Sequence, residues 1–166
     1  MAHISFSELV TWNECPHKHK LIYVEKIRPF FGNEFTAFGK SIHDVCEKVL
    51  LDESIDMNNT FLSYMDKEKA SLEKKGYEID QKFWGVLKEQ GTNLTSFIIP
   101  SVKNYFGSYE VVSTEEQIFE PTGIDEDYKF KGYIDLVVKT EDGKYHIIDW
   151  KTCSWGWDMK KKTDPM

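Results

Sequence analysis

The stretch from Tyr128 to Lys151 constrains this chain more than any other. Two runs rich in β-formers, Tyr128 to Lys139 and Lys144 to Lys151, flank the turn signal Glu141-Asp142-Gly143, a pattern that predicts a β-hairpin. Side chains two apart on a strand share a face. Asp149 and Lys151 are therefore expected on one face and Ile148 and Trp150 on the other, with Asp135 on the partner strand within reach of the same spot. A lone charge inside Tyr133-Ile134-Asp135-Leu136-Val137-Val138 is costly unless it is paired or holds a metal, and Gly132 beside it admits close approach of another backbone or a ligand. Two carboxylates beside a lysine at the end of an apolar hairpin suit a hard divalent cation and an anionic substrate, since Mg²⁺ is typically held by one or two carboxylates plus substrate phosphates. The plainer alternative is a surface hairpin with an ordinary cross-strand Asp–Lys pair.

The preceding chain reads as helical. Ser5-Phe6-Ser7-Glu8 fits a capping box, with Ser5 as cap and Glu8 reaching back. The short helix it opens should stop near Cys15-Pro16, and a second helical stretch runs to about Val24. Phe30 to Asn33 reads as a loop around Pro29 and Gly32. From Glu34 to about Leu51, Phe38, Ile42, Val45 and Val49 recur at helical steps and give one apolar face. His43 and Glu47 flank that stripe on a common side. Asn58 to Lys75 predicts a charged, solvent-facing helix capped by Asn58 or Asn59. Ile79 to about Phe106 predicts a helical region broken by Gly91 and Pro100. Tyr109 to Phe119 alternates like a strand. Helices followed by a strand cluster indicate the α+β class, a small mixed sheet flanked by helices with a helical N-terminal half. One domain is expected over 1–166: a mostly helical part, 1–107, a sheet core carrying the site, 108–152, and a tail, 153–166. No helix is expected to cover the far side of the hairpin after Lys151, so the tail is read as cut short or as lacking a C-terminal element.

The net charge of −7 argues weakly against a non-specific nucleic-acid binder, which gains affinity from a basic face. Bound metal would offset carboxylates locally. The basic clusters Lys18-His19-Lys20, Lys26 to Arg28 and Lys160-Lys161-Lys162 are either solvated faces or phosphate contacts. Cys15, Cys46 and Cys153 make an odd, sparse set that points to a reducing cytoplasm, with Cys15 and Cys46 expected as small buried residues. No apolar run approaches the roughly 20 residues that span a membrane, and no membrane association is expected.

Asp135 and Asp149 fit metal-assisted hydrolysis of a phosphodiester, in which a cation generates and orients the attacking water and offsets charge developing on phosphate. Lys151, on the face of Asp149, would position or deprotonate the water, or stabilise the developing charge.

Taken together, Gly132-Tyr133-Ile134-Asp135 and Asp149-Trp150-Lys151-Thr152 resemble the core motif of the PD-(D/E)XK nuclease superfamily. They are most similar to its RecB-like exonuclease branch, which includes CRISPR-adaptation nucleases and phage exonucleases. Ser5-Phe6-Ser7 through Cys15-Pro16 to Leu21-Ile22-Tyr23 resembles the opening helix of that branch. Phe38-Gly39-Lys40-Ser41-Ile42-His43 resembles the helix that supplies a metal-binding histidine. The resemblance implies a restriction-endonuclease-like core and a Mg²⁺- or Mn²⁺-dependent deoxyribonuclease, acting as an exonuclease. It implies His43, Asp135 and Asp149 as metal ligands, Lys151 as the catalytic lysine and Glu116 as an accessory catalytic acid, with Glu115 its ambiguous neighbour. Lys18, Lys20, Lys160, Lys161 and Lys162 are candidate contacts to the DNA backbone, and Trp155 and Trp157 are candidates for stacking on a single strand or for packing. The implied partner is DNA, single-stranded or with free ends. The implied setting is the cytoplasm of a prokaryote or of a phage-infected host, with protein partners in recombination, replication or CRISPR adaptation.

Two departures bear on this. The branch carries a Gln-x-x-x-Tyr-like helix after the lysine, and nothing after Thr152 matches it. Some relatives bind a [4Fe–4S] cluster through four cysteines, whereas this chain has three, so no iron–sulfur cluster is expected. The missing helix keeps open a catalytically inactive nuclease-fold module that binds nucleic acid or serves as a scaffold. A third reading, an acidic α+β protein-interaction domain with a coincidental hairpin, predicts no metal binding.

Overall fold

The computed structural model describes residues 2–27, 30–123 and 128–152. The chain opens with a strand that the sequence did not predict, β1 (Ala2–Ser5), whose four residues are too few for alternation to stand out. Ser5 then caps α1 (Phe6–Glu14), its hydroxyl accepting from the Glu8 N–H at 3.2 Å. The Glu8 carboxylate pairs with His19 at 2.9 Å, where the sequence had it reaching back to Ser5. Pro16 starts α2 (Pro16–His19), which leaves Cys15 at the exposed N-cap, its sulfur accepting from the Lys18 N–H. Of the two cysteines expected to be buried, only Cys46 is. A π-helical turn, Lys20–Val24, ends this N-terminal unit, in which neither α1, α2 nor the turn buries a residue fully.

Helix α3 (Glu34–Leu51) has the bounds expected of it. Asn33 and Thr36 close a capping box, and Phe38, Ile42, Val45 and Val49 are buried. Helix α4 (Met57–Lys74) is capped by Asp56 rather than by Asn58 or Asn59, and it is not wholly solvent-facing: Phe61, Met65 and Leu72 enter the core. Three apolar residues at helical spacing suffice to seat a helix whose other faces are charged. The next helical region is broken as predicted, into α5 (Gln81–Thr95) and α6 (Ile98–Phe106). The break precedes Pro100, which lies in the first turn of α6 where its missing N–H costs nothing. Gly91 stays inside α5 because the Phe61 ring occupies the space a side chain would need.

The strands follow: β2 (Tyr109–Pro121), β3 (Tyr128–Thr140) and β4 (Tyr145–Ile148). Among the described residues the sheet is four-stranded and mixed, and β3 organises it. β2 runs antiparallel along nearly all of β3. β4 returns antiparallel after a turn in which Gly143 takes φ 80°. β1 lies parallel to the other end of β3, from Ala2↔Tyr128 to Ser5↔Lys131. The core lies between α3–α6 and the sheet, where Val45, Val49, Phe61, Met65, Leu136 and Val138 are fully buried. This is the α+β architecture expected from the sequence. No helix among the described residues is long and apolar enough to cross a membrane.

Candidate metal and catalytic site

Three elements meet at Asp135. β3 carries it, 12 % exposed at the side chain, between core residues and the loop after β4. The last rung of the β3–β4 ladder is Leu136↔Ile148. One step on, the Trp150 N–H donates to Asp135 Oδ2 at 2.7 Å, so the carboxylate ends the ladder by taking a backbone donor. The second strand expected to reach Lys151 therefore stops at Ile148. Helix α3 brings His43, whose Nδ1 lies 3.5 Å from Asp135 Oδ2. β2 brings Glu115. Its register against β3 shifts between Val111 and Ser113, and Glu115 falls between the pairs Thr114↔Leu136 and Glu116↔Ile134, across from Asp135. Glu115 adopts φ 48°, a left-handed conformation uncommon outside glycine.

One donor atom from each of His43, Glu115 and Asp135 lies within 4.8 Å of the others. Burial pushes the Glu115 carboxyl up, and the charges of Asp135 and Glu47 push the same way, against a smaller opposing effect of His43. Buried Cys46 is pushed up to about 12, first by burial and then by the Asp135 charge, so it is a neutral thiol beneath the site. Negative charge is thus gathered where side chains are partly withdrawn from water, a cost that a cation would relieve. Two carboxylates and an imidazole suit Mg²⁺ or Mn²⁺, or a borderline metal, with positions left for water and a phosphate oxygen. The donor set fits a divalent cation held by His43, Glu115 and Asp135.

The structure brings only part of the predicted site into this cluster. His43 and Asp135 are in it. Glu116 is not: it is exposed and pairs with Ile134, and Glu115 stands beside Asp135 in its place. Strict alternation cannot anticipate that, because the register shift and the left-handed residue both lie upstream of or at the site. Asp149 lies outside the cluster and binds Lys151, Oδ1 to Nζ at 2.6 Å, with both side chains about half exposed. The two flank Trp150, whose N–H is held by Asp135, which sets them next to the cluster. Lys18 and Lys20 lie on the N-terminal unit, ion-paired to Glu14 at 3.2 Å and to Glu25 at 3.3 Å. Lys160, Lys161, Lys162, Cys153, Trp155 and Trp157 lie outside the described residues. Glu47 and Asp44 of α3 also act on Glu115; the four-residue step from His43 was the signal for Glu47, and none marked Asp44.

No match is found among the curated proteins. A family model does match, the PD-(D/E)XK nuclease superfamily, over residues 3–164. That span holds the strand with Asp135, the segment with Asp149 and Lys151, and the helix with His43. With nearly the whole length matched, the chain belongs to the PD-(D/E)XK nuclease superfamily.

Proposed function

We propose that the protein is a Mg²⁺- or Mn²⁺-dependent deoxyribonuclease that degrades DNA from a free end, as in the RecB-like branch. The observation that carries this is the convergence of His43, Glu115 and Asp135 from three separate elements, beside the Asp149–Lys151 pair. A bound divalent cation supplies an activated water and offsets charge on the scissile phosphate. His43, Glu115 and Asp135 hold it, and Asp149 is the further acidic ligand that the proposed site recruits. The Trp150 N–H fixes the Asp135 carboxylate through Oδ2, the oxygen that also faces His43 Nδ1. Lys151 presents an ammonium beside the incoming phosphate, where it orients the attacking water or steadies the charge that develops. Its present partner Asp149 is half exposed, so the pair exchanges for a phosphate contact at little cost.

Lys18 and Lys20 form exposed ion pairs of the same weak kind and are proposed as contacts to the DNA backbone, together with Lys160, Lys161 and Lys162. The reading accords with work in a prokaryotic or phage-infected cytoplasm, beside proteins of recombination, replication or CRISPR adaptation.

The test is cleavage of end-labelled DNA, single- and double-stranded, linear and circular, in Mg²⁺, Mn²⁺ or EDTA, with wild type beside Lys151→Ala. Expected is metal-dependent loss of linear DNA with circles spared, slowed by about 10²–10³-fold in the variant, the usual scale for losing one electrostatic stabiliser. Cut circles would make it an endonuclease. A folded protein that binds Mn²⁺ and leaves all DNA intact would be the inactive binding or scaffolding module.

A further inference from the structure

Residues 149–152 carry Asp149 and Lys151, yet the β3–β4 ladder ends at Ile148. Something other than strand pairing must hold them. One tie is the Trp150 N–H on Asp135 Oδ2. The Trp150 side chain also packs against the core, and a further tie is at Gly39, in the second turn of α3. A glycine inside a helix costs about 1 kcal/mol relative to alanine, and Gly39 has no left-handed φ to explain it. A Cβ built there would meet one atom of the described residues outside its own helix, Thr152 Oγ1, at 3.1 Å. That is tighter than ordinary van der Waals contact. Gly39 and His43 are four residues apart and lie one turn above the other on the same face. Lys151 is therefore bracketed: Trp150 on one side is tied to Asp135, and Thr152 on the other rests on the helix that carries His43.

We propose that Gly39 is a positioning residue. Its missing side chain lets Thr152 seat against α3 one turn from His43, and this sets where Lys151 stands relative to His43, Glu115 and Asp135. The inference rests on the site assignment made above. Glycine is required for the close approach, not for backbone freedom, so side-chain volume at position 39 is the variable that matters. Displacing a catalytic group by about 1 Å costs on the order of 10²-fold in rate.

The test is a size series, Gly39→Ala and Gly39→Leu, with Thr152→Ala and the double variant Gly39→Ala/Thr152→Ala. Alanine and leucine are both good helix formers, so α3 is expected to persist in each, checked by Tm. Three quantities are read: kcat and KM on linear DNA, and hydrogen exchange at the Trp150 amide by NMR. The expected result is a few-fold fall in kcat for Gly39→Ala and about 10²-fold for Gly39→Leu, KM little changed, with faster Trp150 exchange in the same order. Because the conflict is with Thr152 Oγ1, the double variant should return to the level of Thr152→Ala alone. Folded Gly39→Leu with wild-type kcat and wild-type Trp150 exchange overturns the proposal. Exchange that quickens as predicted in a protein whose wild type cleaves nothing upholds the positioning role and sinks the nuclease reading instead.

Discussion

Glu115 is held between opposed demands. Its carboxyl is pushed up by burial and by the neighbouring Asp135 charge, so ionising it costs the metal-free fold. The sign follows from that direction. A raised carboxyl contributes stability that is complete below the unfolded glutamate value and is lost as pH rises through the higher folded value. At neutral pH that contribution is gone and the like charges repel. Glu115→Gln removes the charge while keeping the shape. In EDTA the variant should be as stable as wild type or more so, by under about 1 kcal/mol for like charges still partly screened by water. In Mn²⁺ the order should reverse, with affinity at least about tenfold weaker, the scale seen for losing even an outer partner of a metal. Thermal melts with and without metal check both halves, and a variant less stable in EDTA would contradict the electrostatic account. At this scale motif spacing singles out His43, Asp135, Asp149 and Lys151, of which the structure gathers His43 and Asp135 into the cluster. It could not separate Glu115 from Glu116. Strand alternation assumes one residue per step, and the register shift after Val111 together with φ 48° at Glu115 breaks that count.

Elements were legible where one strong local signal fixed them. α3 reads correctly because a four-residue apolar stripe, Phe38, Ile42, Val45 and Val49, runs along it. The β3–β4 turn reads correctly because Gly143 supplies the left-handed residue. β1 escaped notice because its pairing partner lies 126 positions on in the register Ala2↔Tyr128, and only the assembled sheet makes four residues a strand. Helix α5 gives this a quantitative form through two glycines. A Cβ on Gly91 would fall 1.9 Å from Phe61 Cζ, and Phe61 is fully buried. A Cβ on Gly85 meets nothing within 4 Å. Both substitutions by alanine gain the same helix propensity, about 1 kcal/mol. Gly85→Ala should therefore stabilise by up to about that amount, whereas Gly91→Ala sets the same gain against an overpacking cost of about 1–3 kcal/mol and should destabilise by up to about 2 kcal/mol net. Denaturant midpoints measured side by side decide it, and two shifts of the same sign would mean the Phe61 ring yields freely.

Across the molecule, the α+β class and the helices-then-sheet order were readable from periodicity, and four motifs in sequence pointed to the superfamily that the family match establishes. Periodicity did not reveal the convergence of the site, which only the resemblance implied, because it depends on packing α3 against β2 and β3. His43, Glu115 and Asp135 are 72 and 20 positions apart in the chain and meet only in the folded state. An unfolded chain thus offers a cation no comparable set, and binding to the native state alone must raise stability by RT ln(1 + [M]/Kd), about 2.7 kcal/mol at a hundredfold excess over Kd. Mn²⁺ should raise Tm in wild type, with the rise growing as the logarithm of concentration and reversed by EDTA. Asp135→Asn should abolish it, since Asp135 is the donor shared with His43 and the anchor of the Trp150 N–H. Lys151→Ala should retain it, because in the proposed reading Lys151 contributes no donor to the cation and acts on the phosphate instead. A Tm rise that survives Asp135→Asn would place the cation elsewhere, whereas loss in Asp135→Asn with retention in Lys151→Ala separates holding the metal from using it.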